Sequence, residues 1–383
     1  MSHINVDGGL RTMFVHSSNE MYGADKILVE ILQALPDKDR AGALVQLPDD
    51  LPSRQGSLST LLDSLGVRTN VSPLPVLRRR YLTMRGAFPL ISRVWQTFRQ
   101  FRKYKPDIVY CTTSAMIICV PLARLAGVKR VVLHVQEIWS PKESAVLGIF
   151  ASLATEIYCI SSASMRAITH SGARARAALL VNAHRDSGLD LRPVRDNGPI
   201  RFVVASRWNS WKGHSTLLKA WDAAGCPGEL VILGGPPPVG TGVDVSELIR
   251  DLQNPQSARV VGEVANIEPY IDDADFLVLP SDSPEPFGLV LVESFARGRG
   301  VIASRGGGVV DIVEDGYNGL LYKIGSVEEL SAAIKSVDRR QATELGMNAR
   351  RTYEANYSIA AYRSRFLNLW RVTTDSAETR NNG

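Results

Sequence analysis

The stretch Phe276 to Glu293, FLVLPSDSPEPFGLVLVE, decides how this chain is read. Phe276 to Pro280 is a short apolar run of strand character, and it empties into a loop made of Ser, Asp and Pro. From about Gly288 a helix begins. That strand, polar loop and helix is one half of a βαβ unit, the building block of parallel sheets. Outward from it the same alternation recurs, with strands expected at Ile200 to Ala205, Glu229 to Gly234, Arg259 to Val261 and Gly300 to Ala303. A matching series precedes it, at Thr12 to His16, Ala41 to Leu47, Asp107 to Cys111, Arg130 to Val135, Glu156 to Ile160 and Leu179 to Asn182. Between the two series, Asp186 to Pro199 has the prolines, glycines and charges of a linker. In open α/β sheets ligands gather at the carboxyl ends of the strands, so chemistry is expected in those loops.

Within the deciding stretch, Glu285 stands in the loop and Glu293 eight residues later on the helix, two turns below it. Both carboxylates can address one ligand, while the amides of Phe287, Gly288 and Leu289 open the helix toward an anion or sugar hydroxyls. A loop Glu followed by a helix Glu is also an ordinary structural pattern. The run EPFGLVLVE resembles the E-x7-E signature of the retaining glycosyltransferases of family 4, whose GT-B architecture is two Rossmann-like doubly wound domains facing across a cleft. The resemblance implies that Glu285 and the amides after it hold the donor sugar, and that Glu293 binds the ribose of the nucleotide.

Ala205 to Gly213, ASRWNSWKG, is similar to the Arg-x4-Lys clamp of the same family and assigns Arg207 and Lys212 to the diphosphate. A departing nucleoside diphosphate accumulates negative charge, and two fixed cations stabilise it most in the transition state. Ser304 to Asp311, SRGGGVVD, is a Gly-rich turn into a helix whose amides can approach phosphates. The family usually has Glu where Asp311 stands. VVGEV resembles the segment that reads the base edge and points to Val264. Gly234 and Gly235 read as turn glycines.

In the first half, SSNEMYGADK joins a strand to a helix, and by resemblance Gly23 lets the backbone approach the diphosphate. Tyr22 replaces the commoner second glycine. His134, in VLHVQEIW, ends a strand; similar enzymes use a histidine here near the donor sugar and acceptor, although a strand-end histidine is often purely structural. Glu137 is a weaker acceptor-side candidate.

The remaining composition sets limits. The 383 residues are 45% hydrophobic and 22% charged, in the range of soluble globular chains of two domains. The longest charge-free apolar run, Ile108 to Ala123, is too short to span a bilayer. The first dozen residues lack signal-peptide order, and the four cysteines form no CxxC pair, which predicts a cytoplasmic location. There is no zinc spacing, Walker loop, G-x-S-x-G or complete G-x-G-x-x-G. Asp273-Ala274-Asp275 matches the D-x-D metal motif of unrelated enzymes but abuts an apolar strand and reads as a helix end.

Charge is unevenly placed. Residues 1–190 hold 23 Lys and Arg against 15 Asp and Glu, while residues 191–383 hold 21 against 24. From Ser64 to Pro106 there are ten basic residues and no acidic one. Ile91, Val94, Trp95, Phe98 and Phe101 fall at helical spacing and predict a helix packing its apolar stripe on the sheet. Before it, Arg78, Arg79 and Arg80 lie among Leu77, Tyr81, Leu82, Met84 and Phe88, a composition suited to anionic lipid on the inner face of the plasma membrane.

The expected organisation is a flexible 1–11, a Rossmann-like acceptor-side domain over 12–190, a nucleotide-sugar domain over 191–355, a helix over 356–372 packing back on the first domain, and a disordered 373–383. The expected activity is a retaining, metal-independent transfer from a UDP- or GDP-sugar to a lipid-linked or saccharide acceptor in surface polysaccharide or glycolipid synthesis. No cofactor and no nucleic-acid partner are expected. A GT-B phosphorylase or nucleotide-sugar epimerase, or a non-catalytic nucleotide-sugar or nucleic-acid binding protein, stays open as an alternative.

Overall fold

The computed structural model describes residues 10–21, 23–50, 57–78, 84–237 and 241–378, and of 84–87 and 373–378 the backbone. Two units divide the chain: residues 1–181 with 362–383, and residues 182–361. The expected border at 190 therefore falls inside the second unit, and the chain rejoins the first at Tyr362.

In the first unit seven parallel strands are β1 (Thr12–Val15), β2 (Leu44–Pro48), β3 (Arg68–Ser72), β4 (Ile108–Cys111), β5 (Arg130–Val135), β6 (Glu156–Cys159) and β7 (Ala177–Leu179), in the order β3-β2-β1-β4-β5-β6-β7. Strand alternation gives the sheet two faces. Val109, Cys111, Val131, Leu133, Val135 and Ile157 join one core with Val120 and Phe101. Their neighbours in sequence, Tyr110, His134 and Tyr158, turn to the other face and form edge-to-face ring contacts. The helix Ile359–Glu378 brings Tyr362 beside Tyr110 and Tyr158, stacks Tyr362, Phe366 and Trp370 along its length, and lets the Trp370 indole donate to Asp39 at 2.9 Å. This helix runs six residues into the stretch expected to be disordered. Neither Gly nor Pro interrupts it before Gly383. Residues 379–383 lie outside the described residues, as do 1–9.

The second unit repeats the plan with six strands, β8 (Ile200–Ala205), β9 (Gly228–Leu233), β10 (Ala258–Gly262), β11 (Phe276–Leu279), β12 (Gly300–Ser304) and β13 (Gly319–Tyr322), ordered β10-β9-β8-β11-β12-β13. All are parallel, and Phe202, Trp221, Phe276 and Ile302 lie in its core. Each sheet thus reverses winding once, between β1 and β4 in the first and between β8 and β11 in the second. These are the topological switch points at which α/β sheets bind ligands.

Sequence reading missed β3 and β13, both edge strands: β3, RTNVS, is polar and largely exposed, and β13, GLLY, is only four residues long. It also placed β7 two residues late. The segment 186–199 has linker composition yet is fastened to the second unit. Arg297, fully buried, donates to Asp186, Ser187 and the carbonyls of Leu189 and Asp190 while pairing with Asp272 at 2.7 Å. Arg299 reaches the Arg192 and Pro193 carbonyls, and Arg350 binds Asp186 at 2.6 Å. Arginines from the helical side saturate a backbone that has no ladder of its own.

Candidate functional site

Glu285 is where the second unit's loops meet. The loop after β8 ends in a short turn, Ser210–Lys212, and the helix His214–Ala223 starts beyond it. Gly213 makes that junction possible: its φ is 74°, and a Cβ there would lie 1.7 Å from the Pro280 carbonyl oxygen. Only glycine lets the turn sit directly on the end of β11. The result brings the Lys212 ammonium to the loop after β11, where Nζ donates to Glu285 Oε1 at 2.7 Å. The Ser281 hydroxyl donates to the same oxygen. Glu285 is only 5% exposed, so its carboxylate is held by directed donors rather than by water.

A third segment closes on the same residue. The Gly308 N–H donates to the Glu285 carbonyl at 2.7 Å, and a Cβ on Gly307 would lie 1.9 Å from that oxygen. The Arg207 to Lys212 loop, the Glu285 loop and the Gly-rich turn after β12, singled out separately in the sequence, are thereby one constellation. Arg207 is half-buried on the loop leaving β8. Next to it, the Trp208 N–H donates to the Gly235 carbonyl, and a Cβ on Gly234 would collide with the Ser206 carbonyl at 2.0 Å, so Gly234 is a close-approach glycine between the β8 and β9 loops.

The helix Leu289–Ala296 is capped by Gly288 at φ 98°. Phe287 is buried against Tyr357. Glu293, 8% exposed, lies on this helix, and His184 stands beside it: His184 Nδ1 is 3.9 Å from Glu293 Oε1 while Nε2 meets Glu268 at 3.4 Å. Sequence reading had no signal for His184, since it enters from a coil far away in the chain. Val264 is half-buried in the loop after β10. Asp311 lends its carbonyl to the Tyr357 hydroxyl at 2.8 Å.

Beneath the clamp, His214 is fully buried, and neither ring nitrogen has a hydrogen-bond partner among the described residues. Burial, with the nearby Lys212 charge, pushes its pKa down to about 4. Burial also raises the Asp282 carboxyl, which accepts from Thr216 at 2.9 Å. Asp273-Ala274-Asp275 is the expected helix end: Asp275 is buried and accepts the Arg201 N–H at 2.7 Å. No group of three metal-ligating side chains occurs among the described residues.

In the first unit, Gly23 begins the helix Gly23–Ala34 and is exposed. Tyr22 lies outside the described residues. The loop before Gly23 is fixed by a buried cluster that sequence reading missed. His16 bonds Asp25 at 2.9 Å through Nε2 and Thr112 at 2.6 Å through Nδ1, and Ser18 also donates to Asp25. His134 departs from the expected role. Strand parity turns it off the loop and into the aromatic layer, fully buried, with Tyr110 Oη 3.1 Å from Nδ1. Desolvation lowers its pKa to about 3, so the ring is a neutral packing element. Two residues on, Gln136 and Glu137 occupy the loop itself. Glu137 accepts the Ser114 and Gln136 amides, and burial raises its pKa.

Residues 192–352 match the glycosyl transferases group 1 family. This match spans the whole constellation around Glu285. A lipopolysaccharide core biosynthesis glycosyltransferase, LpsE of Rhizobium meliloti, is 29% identical over 210 residues, 54% of this chain and 57% of that protein. The chain thus aligns with just over half the length of this relative. An uncharacterised glycosyltransferase of Methanocaldococcus jannaschii is 46% identical over 65 residues, 17% of this chain and 18% of that protein. Among solved structures, Anabaena HepE in complex with UDP-glucose superposes with a TM-score of 0.77 at 21% identity, covering 95% of this chain and all of that one. The lipopolysaccharide outer core galactosyltransferase WaaB gives 0.74 at 16% identity, covering 93% and 98%. These likenesses show that the fold is of the GT-B class.

Proposed function

We propose that the protein is a retaining, metal-independent glycosyltransferase that moves a sugar from a nucleoside diphosphate donor to an acceptor hydroxyl in surface polysaccharide or glycolipid synthesis. The observation that carries this reading is the meeting of the Arg207 to Lys212 loop, the Gly-rich turn and Glu285 within the group 1 region. Arg207 and Lys212 neutralise the diphosphate as the bond from the anomeric carbon to the phosphate oxygen breaks. Glu285 and the amides of Phe287, Gly288 and Leu289 hold the sugar, and Glu293 takes the ribose. The acceptor hydroxyl attacks on the face the leaving group vacates and gives its proton to the departing phosphate oxygen. That balances the step without a covalent enzyme intermediate. HepE's complex with UDP-glucose supports a UDP-sugar as donor, and the lipopolysaccharide core biosynthesis role of LpsE supports a lipid-linked or saccharide acceptor.

Incubation with UDP-, GDP-, TDP- and ADP-sugars, with nucleoside diphosphate release as the readout, tests the reading without a known acceptor. One donor is expected to be hydrolysed slowly, with loss of that activity in Lys212→Ala. No release from any donor, or release of an inverted anomer, contradicts the proposal.

A further inference from the structure

The helix Met84–Tyr104 does not bury the stripe its sequence predicts. Phe101 is buried and Val94 and Phe98 pack against the first unit's core, but Phe88, Ile91 and Trp95 are 80%, 64% and 58% exposed. At 100° per residue these three share an arc of about 60°, and Arg99, Arg102 and Lys103 continue the same strip within about 120°. All three cations are exposed. The strip is roughly 22 Å long, apolar over its first half and cationic over its second. Trp95 is held outside by stacking on Phe98, with ring centroids 5.9 Å apart.

Of the arginine triplet ahead of the helix, Arg78 is already committed within the first unit. Arg78 is tied to Asp50 at 3.0 Å and to the Ser17 carbonyl at 2.8 Å, while Arg79, Arg80, Tyr81 and Leu82 lie outside the described residues. Arg93 is likewise paired with Asp49 at 2.6 Å. Positive charge also collects about the helix's C-terminal end, where Arg102 of its last turn, with Lys105, Arg11 and Lys129, lines a recess of about 310 Å³ whose carboxylate, Asp107, is paired with Arg11.

We propose that this strip docks the protein on an anionic lipid bilayer, Phe88, Ile91 and Trp95 entering the acyl boundary and Arg99, Arg102 and Lys103 meeting the phosphates. Charge complementarity selects this occupant. No acidic residue lies between Ser64 and Pro106, and pairing two copies through the strip would set cations against cations or against the apolar half, with no carboxylate of the strip to meet them. Large apolar and aromatic side chains standing singly in water on a basic helix are the chemistry of interfacial helices. No helix among the described residues is long and apolar enough to cross the membrane, so the contact is peripheral.

Vesicle sedimentation tests this with the full chain and no donor, independently of the catalytic reading. Binding is expected to phosphatidylcholine vesicles containing phosphatidylglycerol at low salt, and to weaken as salt rises. Arg99→Ser, Arg102→Ser and Lys103→Ser combined should lower the partition coefficient roughly 10²-fold. Phe88→Ser, Ile91→Ser and Trp95→Ser combined should abolish binding with an unchanged circular dichroism melt. Brominated lipid should quench wild-type fluorescence more than that of Trp95→Phe. The proposal is overturned if the wild type ignores anionic vesicles at low salt, or if either triple variant binds as the wild type does. It is equally overturned if the protein sediments alone until the apolar triple is introduced, which would make the strip a self-association surface.

Discussion

The two sheets share a winding order and differ in what they hold at the switch point. At the β8/β11 switch three loops converge on one carboxylate: Lys212 reaches Glu285, Arg207 stands on the same loop as Lys212, and a glycine turn closes from the third side. At the β1/β4 switch the polar groups are spent on one another, His16 on Asp25 and Thr112, and the strand-end histidine of β5 is buried neutral. One topology thus gathers three loops on a carboxylate in one unit and a closed set of paired side chains in the other. Fold alone does not assign chemistry; the side chains at each switch do.

The largest expected effect tests the three-loop site. Arg207→Ala or Lys212→Ala should lower turnover at saturating donor by about 10²-fold or more, the scale of losing one preorganised charge stabiliser. Wild-type turnover in either variant would remove the distinction between the two switches. Next in size is the split between the carboxylates. Calorimetry should show Glu293→Ala weakening UDP or GDP binding by roughly tenfold, as expected for a lost charged hydrogen bond, while Glu285→Ala leaves nucleotide affinity intact and impairs transfer. Equal losses in both variants would merge the two roles.

Gly213→Ala probes the geometry rather than the charge. Its left-handed φ and the carbonyl at 1.7 Å predict a stability loss of about 2 kcal/mol, read by denaturant titration, together with reduced turnover as Lys212 shifts. Full stability would mean the turn has room that the geometry denies it.

The smallest effect belongs to two buried histidines, one in each unit. The folded His134 ring resists protonation until about pH 3 and His214 until about pH 4, whereas in the unfolded chain each takes a proton near pH 6.5. The unfolded state therefore binds more protons in that window, and stability must fall as pH drops below about 6.5. Each ring accounts for about 1 kcal/mol at pH 5.5. His134→Phe should flatten the pH dependence of the melting midpoint, and an unchanged slope would place the titration elsewhere.

Which parts could be read from sequence follows the same division. That Lys212 and Glu285 lie in loops at strand ends was legible because each follows an apolar strand by a few residues, while the roles given to them and to Arg207 and Glu293 came from the family resemblance. His184 and the His16 cluster were not, because their partners are brought from distant segments by packing. His134 misled for a related reason: a strand's last residues alternate between loop and interior, and one position of parity decides between them. Ile91 and Trp95 were expected inward with Phe101, yet a 100° step spreads such a stripe too widely for one sheet face to cover.

The return of the chain at Tyr362 sets an order of assembly. The first unit's aromatic layer of Tyr110, His134 and Tyr158 acquires its cover only when Tyr362, Phe366 and Trp370 arrive, after the whole second unit has been made. During synthesis the earlier-made part waits with a sticky, half-finished sheet while the later-made part, continuous from Asn182 to Ala361, can complete itself. Removal of the last twenty or so residues would therefore be felt most by the opposite end of the polypeptide.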